Sequence, residues 1–337
     1  MFETNGFIEA RILKRYAENV LALIGNTPLV KLQRVTRKVR PTILAKLEFL
    51  NPGGSVKDRI GIAMLREAVR KGAIKKGGTV VESSSGNTGV ALALACITMG
   101  FRLIVTMPDK MSEEKKSLLE AYGAKLVVCP TNVQPGDSKH YISVAQRITK
   151  ETPNSFMPNQ YFNKINPQTH FETTGREVWD QTNGKIDCFV AGIGTGGTIS
   201  GVARYLKKKN RKVKIVGVDP EGSIFYDLFR GSPTPSSRVY RIEGIGEDFL
   251  PSTAELKLVD QIVRVKDKEA YLMARRLARE EALLVGSSSG AAVIGAIEVA
   301  KTMSAKNIIV TLLPDRGERY LTKLYNDKWM REQGFMT

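Results

Sequence analysis

Short apolar runs rich in valine and isoleucine alternate along the chain with longer segments whose apolar residues recur every three or four positions. The runs Thr42–Phe49, Thr79–Ser83, Arg102–Met107, Lys125–Cys129, Asp187–Ala191, Val213–Asp219 and Asn307–Leu313 have the length and β-branched content of strands. Helical spacing fills the intervals, at Asp58–Lys71, Asn87–Met99, Glu113–Tyr122, Phe171–Gln181, Ile199–Lys209, Glu269–Glu281 and Ser289–Met303. Strands with no polar face, separated by helices, predict an α/β fold with parallel sheet covered on both sides. The series from Ser55 to about Thr152 can form a unit of its own, with the remainder in a second. Glu221–Arg241, with Gly231, Pro233, Pro235 and paired serines, reads as a mobile surface excursion.

One junction stands out chemically. Asn51-Pro-Gly-Gly-Ser-Val-Lys-Asp-Arg59 follows the first of these strands. Ser55 is a candidate helix N-cap, with Asp58 three residues on as an approximate capping box. Lys57 then falls in the first helical turn, where the positive end of the macrodipole disfavours a cation. A lysine that loses its proton more easily suits Schiff-base chemistry with a carbonyl cofactor. A solvated surface lysine is the plain alternative.

Composition narrows the class. The 337 residues are 42% hydrophobic and 25% charged, ordinary for a globular protein with room for a full core. No apolar run approaches the ~20 residues of a membrane span, and the N-terminus lacks the apolar region of a secretory signal. Cys96, Cys129 and Cys188 lie far apart, an odd set that fits a reducing cytosol, and Cys96 and Cys188 fall in buried helix and strand patterns. Two histidines, His140 and His170, are too few for a zinc cage, so no metal is expected. The formal net charge of +17 gathers partly in Lys207–Lys212, where cations complement a helix C-terminus. Nucleic-acid binding would call for basic residues interleaved with aromatics or a known module; neither is present, and nucleic acid is not expected as a partner.

Three further small-residue loops each enter a helix, and two directly follow a strand, where free N–H groups favour anions. In Glu82-Ser-Ser-Ser-Gly-Asn-Thr-Gly89, the hydroxyls and amide exceed what a helix cap needs, and the loop could hold a carboxylate. Ala191-Gly-Ile-Gly-Thr-Gly-Gly-Thr198 suits a phosphate. It also reads GxGxxG at Gly192, Gly194 and Gly197, with Asp219 22 residues further on, so a dinucleotide-binding, NAD-dependent oxidoreductase is an alternative. Gly286-Ser-Ser-Ser-Gly290 is a weaker signal, because serine and glycine often start helices.

The order of these motifs, with Ile24-Gly-Asn-Thr-Pro-Leu29 before them, resembles the pyridoxal-phosphate enzymes of the cysteine synthase and cystathionine β-synthase family, from about residue 19 to the C-terminus. The resemblance implies two three-layer αβα domains with mostly parallel sheets, the type II fold shared with tryptophan synthase β. Residues 51–155 would form a smaller, mobile domain, and residues 1–50 plus 156–337 a larger one holding the phosphate loop. It further implies that Lys57 carries the cofactor, Asn87 bonds its ring hydroxyl, Gly194, Thr195, Gly196, Gly197 and Thr198 hold its phosphate, and Ser288 faces the pyridine nitrogen. Ser84, Ser85, Thr88 and Gln160 would bind the amino-acid carboxylate, with Tyr161 and Gly244 beside the substrate. Asp219 is then a strand-end polar residue. A cytoplasmic homodimer acting on small amino acids and thiols follows from the same resemblance.

The implied reaction is β-replacement, in which Lys57 takes and returns the α-proton. Stretches such as Glu243-Gly-Ile-Gly-Glu-Asp-Phe249 and Asp327-Lys-Trp-Met330 look more like cystathionine β-synthase, making serine plus homocysteine the first expectation and O-acetylserine plus sulfide the second. A cofactor-binding scaffold without turnover is a weaker reading. Tyr161 stands where cysteine synthases usually carry phenylalanine; its hydroxyl could reach a leaving group or homocysteine, or merely pack. Glu247 and Asp248 could steer a second amino acid, although for Asp248 a solvated loop is preferred. Ser83 and Ser84 depart from the family's usual Pro or Ala followed by Thr, which leaves the donor open. The short N-terminal segment, lacking cysteine or histidine, and the end at Thr337 suggest a catalytic core without haem or S-adenosylmethionine control.

Overall fold

The structure of the protein, a computed structural model, describes residues 16–84, 86–109, 111, 113–134 and 136–337. Among these residues the strands are β1 (Leu29–Lys31), β2 (Thr42–Leu47), β3 (Thr79–Glu82), β4 (Arg102–Pro108), β5 (Lys125–Cys129), β6 (Ser155–Phe156), β7 (Cys188–Gly192), β8 (Lys214–Pro220), β9 (Gln261–Val265) and β10 (Ile308–Leu313). The helices are α1 (Lys57–Arg70), α2 (Asn87–Met99), α3 (Glu113–Ala121), α4 (Tyr141–Glu151), α5 (Ile165–Glu172), α6 (Thr174–Gln181), α7 (Gly197–Lys209), α8 (Phe225–Phe229), α9 (Asp267–Glu281), α10 (Ser287–Ala300) and α11 (Asp327–Glu332). They form a six-stranded sheet in the order β1-β2-β10-β7-β8-β9 and a four-stranded sheet in the order β5-β4-β3-β6. Every pairing is parallel except that of β1 with β2 at the edge.

Period-two alternation explains why the larger sheet buries both faces. Cys188, Val190, Val216, Val218, Ile309 and Leu313 pack on one side with Leu277 of α9 and Val293 of α10. Their neighbours Phe189, Ile215, Val310 and Leu312 pack on the other side against Val202 and Leu206 of α7. The smaller sheet has its own core, with Val80 and Val105 set against Leu65, Leu92 and Leu119. Helix α2 is buried continuously from Thr88 to Cys96, so its apolar character extends around most of its circumference.

The sequence pattern holds at most boundaries and departs in four places. The helix expected over Phe171–Gln181 falls across two, the end of α5 and all of α6, which meet at Thr173 (φ −115°, ψ −78°). The capping box at Ser55 and Asp58 does not form. Ser55 Oγ accepts from the N–H of Lys57 at 3.2 Å, while Asp58 turns back to accept from the N–H of Gly53 at 2.6 Å. Strands β1, β6 and β9 and helices α4 and α11 are additional elements. The excursion after Glu221 starts with α8, anchored by buried Phe225, and only then becomes exposed and irregular. Cys96, Cys129 and Cys188 are buried free thiols.

Candidate functional site

The C-terminal ends of β3, β7 and β10 deliver the site, as open parallel sheets do. Helix α1 begins beside them because the N–H of Val56 donates to the carbonyl of Pro314 at 2.8 Å and Ser55 bridges Asp315. This pins Lys57 at the first position of α1 and aims it between the two sheets. Its ammonium is pushed below the ordinary lysine range, chiefly by burial, with Glu247 and Asp315 pulling the other way. Burial therefore does most of what the helix dipole was expected to do. No hydrogen bond among the described residues engages its amine.

A cleft of about 290 Å³ opens here, and a narrower extension of about 50 Å³ runs inward from it. Both share Lys57, Asn87, Thr195, Gly244 and Ile245. Gly194, Gly196, Thr198 and Ser288 line the extension, whereas Ser84, Thr88, Gln160 and Tyr161 line the outer cleft. Ser85 lies outside the described residues.

The turn between β7 and α7 needs its glycines. Gly196 has φ +78°, and a Cβ there would lie 2.3 Å from that of Ala254. A Cβ on Gly197 would fall 1.8 Å from Asn166 Oδ1. The same asparagine donates to Thr195 Oγ1 at 3.0 Å, so the loop is braced from behind while its N–H groups open α7. Thr198 Oγ1 sits 3.1 Å from Nε2 of His170, whose Nδ1 lies 2.9 Å from Thr174 Oγ1. Burial pushes His170 down to about 3, so its imidazole is neutral.

Hydrogen bonds fix the amides. Asn87 Nδ2 donates to Asp315 Oδ2 at 2.8 Å and Arg319 donates to Asn87 Oδ1, which leaves one Asn87 N–H unassigned. Thr88 donates to Gln160 Oε1 at 2.7 Å, so the Gln160 amide nitrogen remains a donor. Asp315 also accepts from Tyr320 at 2.6 Å. Asp315, Arg319, Tyr320 and His170 are functional neighbours that motif spacing did not reveal. The charged loop directly after β10 was the available signal. Asp219 is fully buried and accepts from the N–H of Tyr226 at 2.9 Å, in keeping with a strand-end structural role.

A family model described as pyridoxal-phosphate dependent enzyme matches residues 20–315. The chain belongs to that family. Its cofactor is pyridoxal phosphate, and its fold is the type II architecture of these enzymes. Cystathionine beta-synthase of Apis mellifera is 45% identical over 324 residues, covering 94% of this chain and 63% of that protein. The protein of the same name in Dictyostelium discoideum is 45% identical, covering 96% of this chain and 64% of the other. The chain thus spans slightly under two thirds of the length of these curated relatives. Among solved structures, an O-acetylserine dependent cystathionine beta-synthase from Helicobacter pylori superposes with TM-score 0.83 at 37% identity, covering 91% of this chain and 98% of that one. A hydrogen sulfide-producing enzyme from Fusobacterium nucleatum gives the same TM-score at 36% identity, covering 91% of this chain and all of the other. Among the described residues there is no group of three or more potential metal ligands and no helix long and apolar enough to cross a membrane.

Proposed function

We propose that this chain catalyses β-replacement on serine or an activated serine by a thiol, with L-serine and L-homocysteine giving L-cystathionine as the principal reaction. The observation that carries this is a half-buried Lys57, its amine without a hydrogen-bond partner among the described residues, at the junction of a braced glycine turn and an amide-lined cleft. These residues fit the cofactor. The turn from Gly194 to Thr198 offers N–H groups and two hydroxyls to its phosphate, Ser288 takes the pyridine nitrogen, and Lys57 takes the aldehyde. The unassigned N–H of Asn87 suits the ring hydroxyl. When bound, pyridoxal phosphate supplies an electron-withdrawing ring conjugated to Cα, which acidifies the α-proton.

The remaining chemistry belongs to the chain. Ser84, Ser85, Thr88 and the Gln160 amide hold the substrate carboxylate, and Gly244 and Tyr161 border its side chain. Lys57 removes the α-proton as the β-substituent departs and returns a proton to Cα as sulfur adds. Residues 51–155 form a smaller unit that closes on residues 1–50 and 156–337, excluding water during the reaction. A cytoplasmic homodimer completes the proposal; the buried free cysteines support a reducing compartment.

A second reading, O-acetylserine plus sulfide giving cysteine, is favoured by the likeness to a relative named for its O-acetylserine dependence. Titration of the bound cofactor's visible absorbance separates the two. The proposal expects a shift on adding serine that reverses with homocysteine as cystathionine accumulates. A response to O-acetylserine alone, reversed by sulfide, would transfer the assignment. Absence of any response would remove both.

A further inference from the structure

Serine poses a problem that the residues assigned so far leave open, because hydroxide is a poor leaving group and departs readily only if an acid protonates it. Glu247 is an acidic side chain on the cleft wall with no role assigned above. Glu247 shares that wall with Lys57 and Tyr161. Its backbone is pinned at both ends: its N–H donates to Ser223 Oγ at 3.1 Å, and its carbonyl accepts from the N–H of Ile224 at 3.1 Å. Its carboxyl group interacts with the nearby Tyr161 hydroxyl, and the Tyr161 ring is held edge-on to Phe249 at 5.2 Å. The adjacent Asp248 is exposed. Of the other cleft glutamates, Glu114 and Glu243, the latter is already committed to Lys115 at 2.7 Å and Lys323 at 3.1 Å, so it has little to offer as a proton donor.

We infer that Glu247, positioned by Tyr161, is the acid that protonates the departing β-hydroxyl of serine and the base that then receives the proton of the incoming thiol. This rests on the β-replacement reading above. In the first half, Lys57 takes the α-proton, the Cβ–O bond breaks with its electron pair going to oxygen, and the Glu247 carboxyl proton completes a water molecule. The electron pair left at Cα becomes the Cα=Cβ double bond. In the second half, the thiol gives its proton to the Glu247 carboxylate and sulfur bonds Cβ, while Lys57 returns a proton to Cα. No oxidant or reductant enters. Burial holds Glu247 up at about 7, where it can act in both directions; Asp248 adds to this, while the Tyr161 hydroxyl and Lys57 oppose it.

The test compares donors on holoenzyme carrying Glu247→Gln, with sulfide at pH 8 as the nucleophile because it is already largely ionised. Acetate leaves without a proton, so O-acetylserine should not need the acid. Glu247→Gln should slow the serine-dependent spectral change and turnover about 100-fold, yet leave O-acetylserine turnover within about threefold. Tyr161→Phe should give a smaller loss with serine than Glu247→Gln does. Retained O-acetylserine activity and an unaltered cofactor absorbance band show that the variant is folded and loaded. Equal losses with both donors, or serine turnover within about threefold of the parent, would overturn the role. A parent enzyme that uses only O-acetylserine would also overturn it while leaving β-replacement standing. A parent inert to both donors would remove the underlying reading as well.

Discussion

A buried quartet of charges next to the site offers a quantitative test of what holds Lys57 in place. Lys46, Glu48, Arg59 and Glu177 sum to zero charge, and Lys46, Glu48 and Arg59 have side chains at most 1% exposed. Arg59 grips Glu48 through Nε at 2.7 Å and a terminal nitrogen at 2.8 Å, and Glu177 through its terminal nitrogens at 2.6 and 2.8 Å. Lys46 donates to Glu177 at 2.6 Å, to Gln181 at 2.9 Å and to the carbonyl of Thr27 at 2.6 Å. These contacts tie α1, two residues beyond Lys57, to β2 and α6. Glu177→Gln keeps the shape but leaves one uncompensated positive charge in a desolvated site. Loss of one partner from a buried pair costs about 3–5 kcal/mol, whereas an exposed pair contributes about 0–1 kcal/mol. Lys46→Met should carry a comparable cost with the opposite residual charge. The double variant is neutral again, so it should be less destabilised than the two single losses predict, by about 1–3 kcal/mol. Guanidinium unfolding of all four proteins, followed by circular dichroism, closes the cycle. Additivity within about 0.5 kcal/mol, or a Glu177→Gln loss below about 1 kcal/mol, would refute charge compensation as the reason these residues sit together.

Other perturbations probe the site directly. Lys57→Ala should abolish β-replacement and the donor-induced change in absorbance while leaving far-UV circular dichroism unchanged; full turnover by the variant would defeat the assignment. Gly197→Ala places a methyl against Asn166 Oδ1 and should weaken cofactor affinity at least tenfold by fluorescence titration, at a cost of about 1–3 kcal/mol in stability; parental affinity would show that the turn has slack. Glu82 is fully buried at the end of β3, and burial raises its carboxyl from 4.5 to about 8, with the N–H of Ser83 opposing. The folded state therefore binds more protons than the unfolded state between these values, and stability falls as pH rises through that window, by as much as ~5 kcal/mol. Glu82→Gln removes the titration, so its advantage over the parent in thermal unfolding should grow from pH 5 to pH 9; a constant difference at both pH values would show that Glu82 does not titrate there.

What was legible in the sequence follows from what is local. Strand β5 and helix α2 begin and end where periodicity places them, because valine alternation and the small-residue entry at Asn87 act within a few positions. Lys57, Asn87, the phosphate turn and Ser288 sit at element boundaries and could be singled out one by one. The partners that orient them could not. Arg319 and Asp315 reach Asn87 across 232 and 228 residues, and nothing at either end of such a pair announces the other. Tyr161 and Glu247 lie far apart along the chain, and only packing joins them. Strands β1 and β6, three and two residues long, are too short for alternation to register. The break at Thr173 escaped because apolar spacing continues through it even as the backbone turns.

The dinucleotide alternative shows where spacing stops being informative. Gly192, Gly194 and Gly197 require only that a strand turn sharply into a helix and admit an anion, a demand shared by any phosphate ligand. Discrimination falls to the acid at the end of the next strand, which must face the cleft to meet a ribose. Asp219 faces inward instead. Its carboxylate accepts from the N–H of Tyr226, is 0% exposed, and burial holds it up at about 6 with Ser223 and Tyr226 opposing. It closes the start of α8 and has no surface left for a sugar. Lys57, by contrast, borders the same extension as the glycine turn and has no hydrogen-bond partner among the described residues. The same turn would suit either phosphate ligand, and the surroundings of Asp219 and Lys57 argue for the one that an amine can hold where three glycines cannot decide.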